Sequence, residues 1–226
     1  MLKSLFQHFS SLVIVDVETT GLYAKTDEII ELAALKVVQR GNSYCTEDEL
    51  DTLIQLTANR KLSNKVVELT GITEQMLHEN GKPKIDVCMN LVEFLCHPNT
   101  LVAAYNAHFD LSFLYYFLKS HDSAHVLRQV KMLDAMTVYK DRRDYPHKLS
   151  DAVSAYKLDN QKSHRALDDA RATLALLVAM EIERDDLGQY VNLFGYNPRY
   201  GVSGSRIASV TYLPQGFDRH KRLYEN

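Results

Sequence analysis

Two carboxylates interrupt the end of an apolar run near the start of the chain, where Val13 to Val17 is rich in β-branched residues. Such a run predicts a buried strand. Because residues i and i+2 of a strand point to the same face, Asp16 and Glu18 project from one side of it. Buried carboxylates are unfavourable unless they are neutralised, and a divalent cation is a suitable partner. Taken alone, the pattern is equally typical of a strand that ends in two solvated acids.

Three further residues extend this candidate site. Asp110 follows a buried strand predicted at 101–105, and His164 precedes a long apolar helix predicted at 166–182 that contains Asp169. Each residue has an ordinary alternative. Asp110 is also typical of a helix cap or a solvated acid, His164 of a surface loop, and Asp169 of a partly exposed helix position. The combination with the first two acids is more informative than any one of them.

The three segments together resemble the motifs of the DEDDh exonucleases, most closely those of the DnaQ-like proofreading exonucleases. VDVETTGL contains Asp16 and Glu18, AYNAHFDLSFL contains Asp110, and HRALDDA contains His164 and Asp169. The resemblance covers roughly residues 10 to 183, and every catalytic position of the pattern is filled. Two weaker resemblances are the segment Gly71-Ile72-Thr73 and the acid Asp134 in MLDAMTVYK.

This resemblance implies a metal-dependent 3′→5′ exonuclease that releases 5′-mononucleotides from DNA 3′ ends with two Mg²⁺ or Mn²⁺ ions. It implies that Asp16 contacts both ions, that Glu18 and Asp169 complete one site, and that Asp110 holds the other. The family spacing selects Asp169 over the adjacent Asp168. His164 would take the proton from the attacking water, a role that suits a side chain with an unperturbed pKa of ~6.5.

The resemblance also implies a set of substrate-binding residues beside these acids: Thr19, Gly21, Leu22, Asn106 and Phe109. Leu22 and Phe109 would pack against the terminal bases, and core packing is the alternative for both. Stacking of this kind requires little sequence readout. The expected substrate is therefore a single-stranded or frayed DNA 3′ end of any sequence.

Two alternatives stay open at this point. The first is an RNA-trimming 3′→5′ exoribonuclease of the same family. It stays open because the motifs do not show which residues would contact a 2′-hydroxyl. The second is a module that binds nucleic acid or a polymerase without catalysis. The complete set of acids and His164 argues against the second alternative.

The predicted elements define an α/β fold. A second strand at 28–38 forms a hairpin with the first, a third strand is predicted at Leu53–Leu56, and helices and strands alternate thereafter. This order implies a mixed central sheet flanked by helices, which the resemblance identifies as ribonuclease H-like. We expect an exonuclease domain at residues 1–187 and a C-terminal extension at 188–226.

The extension contains two weaker signals. Gln189-Tyr190-Val191-Asn192-Leu193-Phe194 resembles a peptide that binds a sliding clamp or recruits a DNA polymerase, and packing of this segment onto the domain is the alternative. From Tyr196 onward basic residues exceed acidic ones, which favours a solvated tail. These basic residues are Arg199, Arg206, Arg219, Lys221 and Arg222.

Composition limits the remaining possibilities. A hydrophobic content of 46% is enough for a sizeable core, and a net charge of -3 excludes a broadly basic nucleic-acid binder. Three cysteines without a C-x-x-C spacing indicate incidental thiols in a reducing compartment. No apolar run is long enough for a membrane span. We therefore expect a soluble cytoplasmic protein.

Overall fold

A five-stranded mixed sheet forms the centre of the computed structural model, which describes residues 1–159, 165–218 and 220–225. In spatial order its strands are β3 (Ser43–Leu53), β2 (Ile29–Arg40), β1 (Ser11–Thr19), β4 (Thr100–Ala104) and β5 (Lys131–Asp134). β1, β2 and β3 are antiparallel neighbours, whereas β4 runs parallel to β1 and β5 parallel to β4. The predicted α/β class with a mixed sheet is confirmed.

Helices cover both faces of this sheet. The α-helices of the described residues are α1 (Lys3–Phe6), α2 (Asn64–Thr70), α3 (Glu74–Asn80), α4 (Lys84–Leu95), α5 (Ala107–Lys119), α6 (Ala135–Lys140), α7 (Leu149–Ala155) and α8 (Ala166–Glu183). Buried residues of α1, α6, α7 and α8 share one hydrophobic core, and those of α4 and α5 share another. None of these helices is both long and apolar enough to span a bilayer, over the ranges that the structure describes.

Alternation along β1 assigns its side chains to the two cores. Leu12 and Ile14 are buried in the core that contains α8, whereas Val13, Val15 and Val17 are buried in the core that contains α5. This is the period of two that a strand imposes. The even-numbered residues that follow Ile14, which are the two acids of the first motif, therefore lie on the α8 face of the sheet.

The predicted third strand at Leu53–Leu56 is wrong. β3 runs from Ser43 to Leu53 and shares only its last residue with that prediction. Its middle, Thr46 to Glu49, is polar and exposed, so the sequence lacks the apolar alternation that identifies a strand. Backbone pairing with β2 forms it instead, and charged side chains on an edge strand oppose pairing with other chains.

The start of α5 follows β4 closely and is fixed by a distant residue. Asn106 adopts a left-handed conformation with φ of 64°, and α5 begins directly after it at Ala107. The backbone N–H of Ala107 donates to Oδ1 of Asp134 at 3.1 Å. The acid that fixes the start of α5 is thus 27 residues away in the chain, so local sequence does not reveal the boundary. Asp110 consequently lies in the first turn of α5 rather than in a loop.

The C-terminal segment packs onto the fold and adds a small parallel sheet of β6 (Leu193–Tyr196) and β7 (Thr211–Pro214). Tyr190 is fully buried, and Phe194 is only 2% exposed in the core that contains α5. The hypothesis that Gln189–Phe194 is a clamp-binding peptide stays a prediction, which this conformation does not support because the aromatic anchors face the protein interior. The packing alternative describes the segment. The division at residue 187 stays a prediction.

Candidate metal centre

Three carboxylates from distant parts of the chain converge on the α8 face of the sheet. Asp16 and Glu18 come from the end of β1, and Asp169 comes from the first turn of α8. One carboxylate oxygen from each lies within 4.8 Å of the others, and all three residues are partly buried. The structure therefore brings Asp169 into this group, which we call the carboxylate triple. Asp168, the neighbour that family spacing disfavoured, is not part of it.

Asp110 approaches the same region from the other side of the sheet. β4 stops pairing with β1 at Ile14, so beyond that point β1 is paired with β2 alone and its other edge is open. Asp110 fills this position, and its Oδ1 accepts a hydrogen bond from the N–H of Val17 at 3.2 Å. The side chain is 3% exposed. Asp110 thus borders the carboxylate triple without belonging to it.

The acids repel one another strongly in the metal-free protein. Burial raises the pKa of Asp16 well above its usual range, and the charges of Asp110, Asp169 and Glu18 raise it further. Burial, followed by the charges of Asp169 and Glu31, raises the pKa of Glu18 to about 8. Burial likewise raises the pKa of Asp110, against the hydrogen bond from Val17. A site that disfavours its own negative charge in this way is stabilised by a bound cation.

The donor set fits a divalent metal. All of the converging groups are carboxylates, which are the ligands that hard cations such as Mg²⁺ and Mn²⁺ prefer, and histidine or thiol ligands are absent from the described group. The residues present therefore form a candidate divalent-metal site. The identity and number of the ions belong to the proposal below.

Glu31 is a supporting residue that the motifs did not identify. It lies opposite Glu18 on β2 and is fully buried. Its Oε2 accepts from the N–H of Ala166 at 2.9 Å, and its Oε1 accepts from Nε of Arg165 at 2.7 Å. Glu31 thus holds the first residues of α8 against the sheet, which places Asp169 beside Glu18. An acid inside the apolar run EIIELAALKVV was the available signal.

Asp134 has a structural role at the end of β5. Its carboxylate accepts from the N–H groups of Met136 and Thr137, which caps α6, and from the N–H of Ala107, which holds the start of α5. A cap at a helix N-terminus satisfies backbone donors that have no partner within the helix. Asp134 therefore positions the turn that contains Asp110. Asp134 is the residue that the sequence analysis compared with a recurrent acid of the family.

The predicted substrate residues after β1 form a braced turn. Thr19 is buried and donates from Oγ1 to the carbonyl oxygen of Gly21 at 2.6 Å. A Cβ at Gly21 would lie 2.4 Å from the Asp27 carboxylate, so a larger residue would require that carboxylate to move. Leu22 is 78% exposed, which excludes core packing for this residue. Its neighbour Tyr23 is 75% exposed and was not predicted as a substrate residue; it extends the apolar surface that Leu22 presents.

The remaining predicted residues lie around the start of α5. Asn106 is exposed and directly precedes the helix, and Phe109 is half-buried against Phe113 at 4.9 Å between ring centroids. Phe109 thus combines core packing with a partly accessible face. His164, the predicted base, lies outside the described residues.

Comparisons with known proteins agree with this geometry. The sequence profile of the RNase_T family, described as Exonuclease, matches residues 13–177. The DNA polymerase III PolC-type of Latilactobacillus sakei is 34% identical over 84% of this chain and 12% of its own length. The corresponding proteins of Thermotoga petrophila and Bacillus subtilis are 36% and 34% identical over 73% and 74% of this chain, each over 11% of its own length. The chain thus spans about an eighth of the length of these relatives.

Solved structures with a similar fold include exonuclease I proteins. A zinc-bound complex of Escherichia coli exonuclease I with single-stranded DNA superposes with a TM-score of 0.71 at 18% identity, covering 80% of this chain and 42% of that one. Exonuclease I of Methylocaldum szegediense gives a TM-score of 0.66 at 20% identity over the same shares of the two chains. At this level of identity the similarity concerns the fold, and it agrees with the predicted ribonuclease H-like architecture.

Proposed function

Because the chain belongs to the exonuclease family, we propose that it is a 3′→5′ exonuclease that releases 5′-mononucleotides from single-stranded or frayed DNA ends. Family membership confirms the resemblance that the motifs predicted. The observation that carries the proposal is the carboxylate triple, in which acids from β1 and α8 meet beside the buried Asp110. The mutual repulsion of these acids is a cost to stability that a metal would offset.

We assign two Mg²⁺ or Mn²⁺ ions to these acids. Asp16 would contact both, Glu18 and Asp169 would complete one site, and Asp110 would serve the other. When bound, such ions supply Lewis-acid stabilisation of the attacking and leaving oxygens of the phosphodiester. The carboxylates would provide the negative charge that retains the ions, and the rigid strand β1 would fix where those ions lie.

The side chains then divide the hydrolysis between them. A water molecule attacks phosphorus, and the bond from phosphorus to the 3′-oxygen of the shortened strand breaks. His164, which directly precedes Arg165 in the sequence, would accept the proton of this water. The leaving 3′-oxygen takes up a proton, and the terminal nucleotide departs with its 5′-phosphate. The exposed Leu22 and the accessible face of Phe109 would hold the terminal base by apolar contact.

The relatives named above are DNA polymerases, and on that basis we propose DNA as the substrate and proofreading beside a polymerase as the setting. The burial of Tyr190 and Phe194 does not support recruitment of the protein by a clamp through Gln189–Phe194. Any polymerase contact would use another surface. A cytoplasmic location stays a prediction.

A degradation time course tests the function. The substrates are single-stranded DNA with a 3′-hydroxyl, the same strand with a 3′-phosphate, a closed circle, mispaired duplex DNA, and RNA of the same sequence. We expect mononucleotides to accumulate from the free 3′ end in Mg²⁺ or Mn²⁺ and no release in excess chelator. Cleavage of the circle at the same rate would contradict an exonuclease. Faster loss of RNA than of DNA would favour the exoribonuclease alternative.

A pair of neighbouring acids provides a matched control. Asp169→Asn removes a member of the carboxylate triple, whereas Asp168→Asn changes the adjacent residue outside it. We expect the first variant to lose nearly all turnover and the second to retain it. Equal activity of the two variants would show that the triple does not perform the chemistry.

A further inference from the structure

The C-terminal segment differs in charge from the rest of the chain. Residues 187–217 include no aspartate or glutamate, although the chain has 29 acidic residues and a net charge of -3. The basic residues of this stretch are Arg199 and Arg206. A solvated tail was the expectation for this region, and it is wrong here because the stretch includes β6, β7 and several buried side chains.

Residues 197–212, which we call the arginine–tyrosine segment, connect β6 to β7 and are anchored beside the candidate site. His108 Nε2 donates to the carbonyl oxygen of Ser205 at 2.9 Å, and the His108 ring meets the Tyr212 ring edge-on at 5.6 Å. Val210 is buried in the core that contains α5. His108 belongs to the first turn of α5, two residues before Asp110. The segment is therefore attached to the same helical turn that supplies an acid to the site.

Both arginines of this segment are exposed to solvent, and each lies over a tyrosine ring. The guanidinium of Arg199 lies 5.5 Å from the centroid of the Tyr200 ring, and that of Arg206 lies 5.3 Å from the centroid of Tyr212. Neither arginine forms an ion pair with an acid among the residues that the structure describes. Tyr200 itself is 75% exposed.

This arrangement contrasts with other arginines of the fold. Several of them are paired with carboxylates: Arg40, Arg60, Arg142, Arg143, Arg165 and Arg171. A guanidinium that lies over an aromatic ring keeps the N–H groups at its own edge available, and these can bind a phosphate in bidentate fashion. Exposed tyrosine faces next to such cations are suited to stack on unpaired bases.

We propose that the arginine–tyrosine segment binds the phosphates and bases of the DNA single strand immediately upstream of the 3′-terminal nucleotide. The inference rests on the proposed function and extends it to substrate binding outside residues 13–177, which the family profile covers. The acids of the site repel the polyanionic strand. The exposed Arg206 lies over Tyr212, whose ring meets that of His108 two residues before Asp110, so it would offset this repulsion along the path of the strand.

A chain-length comparison tests the inference. The double variant Arg199→Ala/Arg206→Ala is assayed on an oligothymidylate of about 20 nucleotides, long enough to cover one binding surface, and on the p-nitrophenyl ester of thymidine 5′-phosphate. We expect KM for the oligonucleotide to rise about 10-fold and the dependence of log KM on log salt to become shallower by ~1.4, which corresponds to two phosphate contacts. Turnover of the short ester should be retained. Tyr200→Ala should raise KM without changing the salt slope.

Lys119→Ala is the matched control, because Lys119 also lies over a tyrosine, Tyr115, at 5.8 Å but at the opposite end of α5. It should leave KM and the salt slope as in the wild type. The inference is wrong if the double variant keeps the wild-type KM and slope, if it loses turnover of the short ester equally, or if Lys119→Ala has the same effect. Failure of the wild-type protein to hydrolyse either substrate would instead refute the proposed exonuclease function.

Discussion

Replacing Glu18 by glutamine should stabilise the metal-free protein. Burial and two neighbouring acids raise the pKa of Glu18 from 4.5 to about 8. The folded protein therefore binds a proton at Glu18 that the unfolded chain has already lost, so the folded state becomes less stable as pH rises between these two values. Glutamine has nearly the same shape and carries no charge, which removes this penalty.

The size of the effect follows from the pH interval. Between pH 4.5 and pH 7 the penalty grows by about 1.4 kcal/mol per unit, which gives an upper limit of ~3 kcal/mol at pH 7. Glu18 is half-buried, so water screens part of the repulsion and about 1–2 kcal/mol should be measurable. For a chain of 226 residues this corresponds to a rise in Tm of about 3–6 °C.

Glu28→Gln is the matched control with the opposite sign. Glu28 accepts from Nζ of Lys84 at 2.8 Å and from the N–H of Thr57 at 3.1 Å. These hydrogen bonds lower the pKa of Glu28 against the effect of burial. The folded protein therefore gains stability from this charge at pH values above the ordinary range of a glutamate, and loses it on acidification. The substitution should lower Tm at pH 7.

The assay is thermal unfolding in excess chelator from pH 5 to pH 8, repeated with Mn²⁺. In chelator the advantage of Glu18→Gln over the wild type should grow with pH. In Mn²⁺ it should shrink or reverse, since the wild type gains stability from the bound ion in proportion to its affinity. A lower Tm for Glu18→Gln in chelator at pH 7, or a difference that does not depend on pH, would refute the proposed repulsion within the site.

Three further predictions concern other parts of the mechanism. Glu31→Ala should lower the free energy of unfolding in urea by about 2 kcal/mol, because it removes the acceptor for Arg165 and for the N–H of Ala166 at the start of α8. Unchanged Mn²⁺ affinity by calorimetry would contradict a role of Glu31 in positioning Asp169. His164→Ala should retain Mn²⁺ binding and reduce kcat by ~10²–10⁴-fold, with loss of the acid limb of the pH–rate profile; a wild-type kcat would exclude it as the base. Phe194→Ala should cost about 3–5 kcal/mol as a buried aromatic truncation, whereas a variant of full stability that no longer binds a clamp would restore the clamp hypothesis.

The sequence alone was sufficient for the part of the site that lies on one strand. The apolar run before Asp16 and the period of two between Asp16 and Glu18 place both carboxylates on one face, because strand geometry is local. The family motifs likewise identified Asp169 rather than Asp168, which the structure places with the first two acids. Short-range pattern and motif order therefore determined the fold class and the candidate acids.

Tertiary structure decided how these acids are held together. The N–H of Val17 binds Asp110, Asp134 fixes the start of α5, and Glu31 fixes the start of α8. Each of these hydrogen bonds joins residues more than 25 positions apart, so no local propensity encodes them. The polar edge strand β3 was missed for the same reason, since its strand conformation depends on pairing with β2.

The C-terminal segment shows most clearly the difference between what the sequence determines and what tertiary structure determines. Its composition gave only a short peptide resemblance and an excess of basic residues, both of which are common in solvated tails. The folded chain buries Tyr190 and Phe194 and places Arg206 over Tyr212, whose ring meets that of His108 in the first turn of α5. Burial and the orientation of a charge depend on which surfaces meet in three dimensions, and that information arises only when the sheet, the helices and the C-terminal strands have packed together.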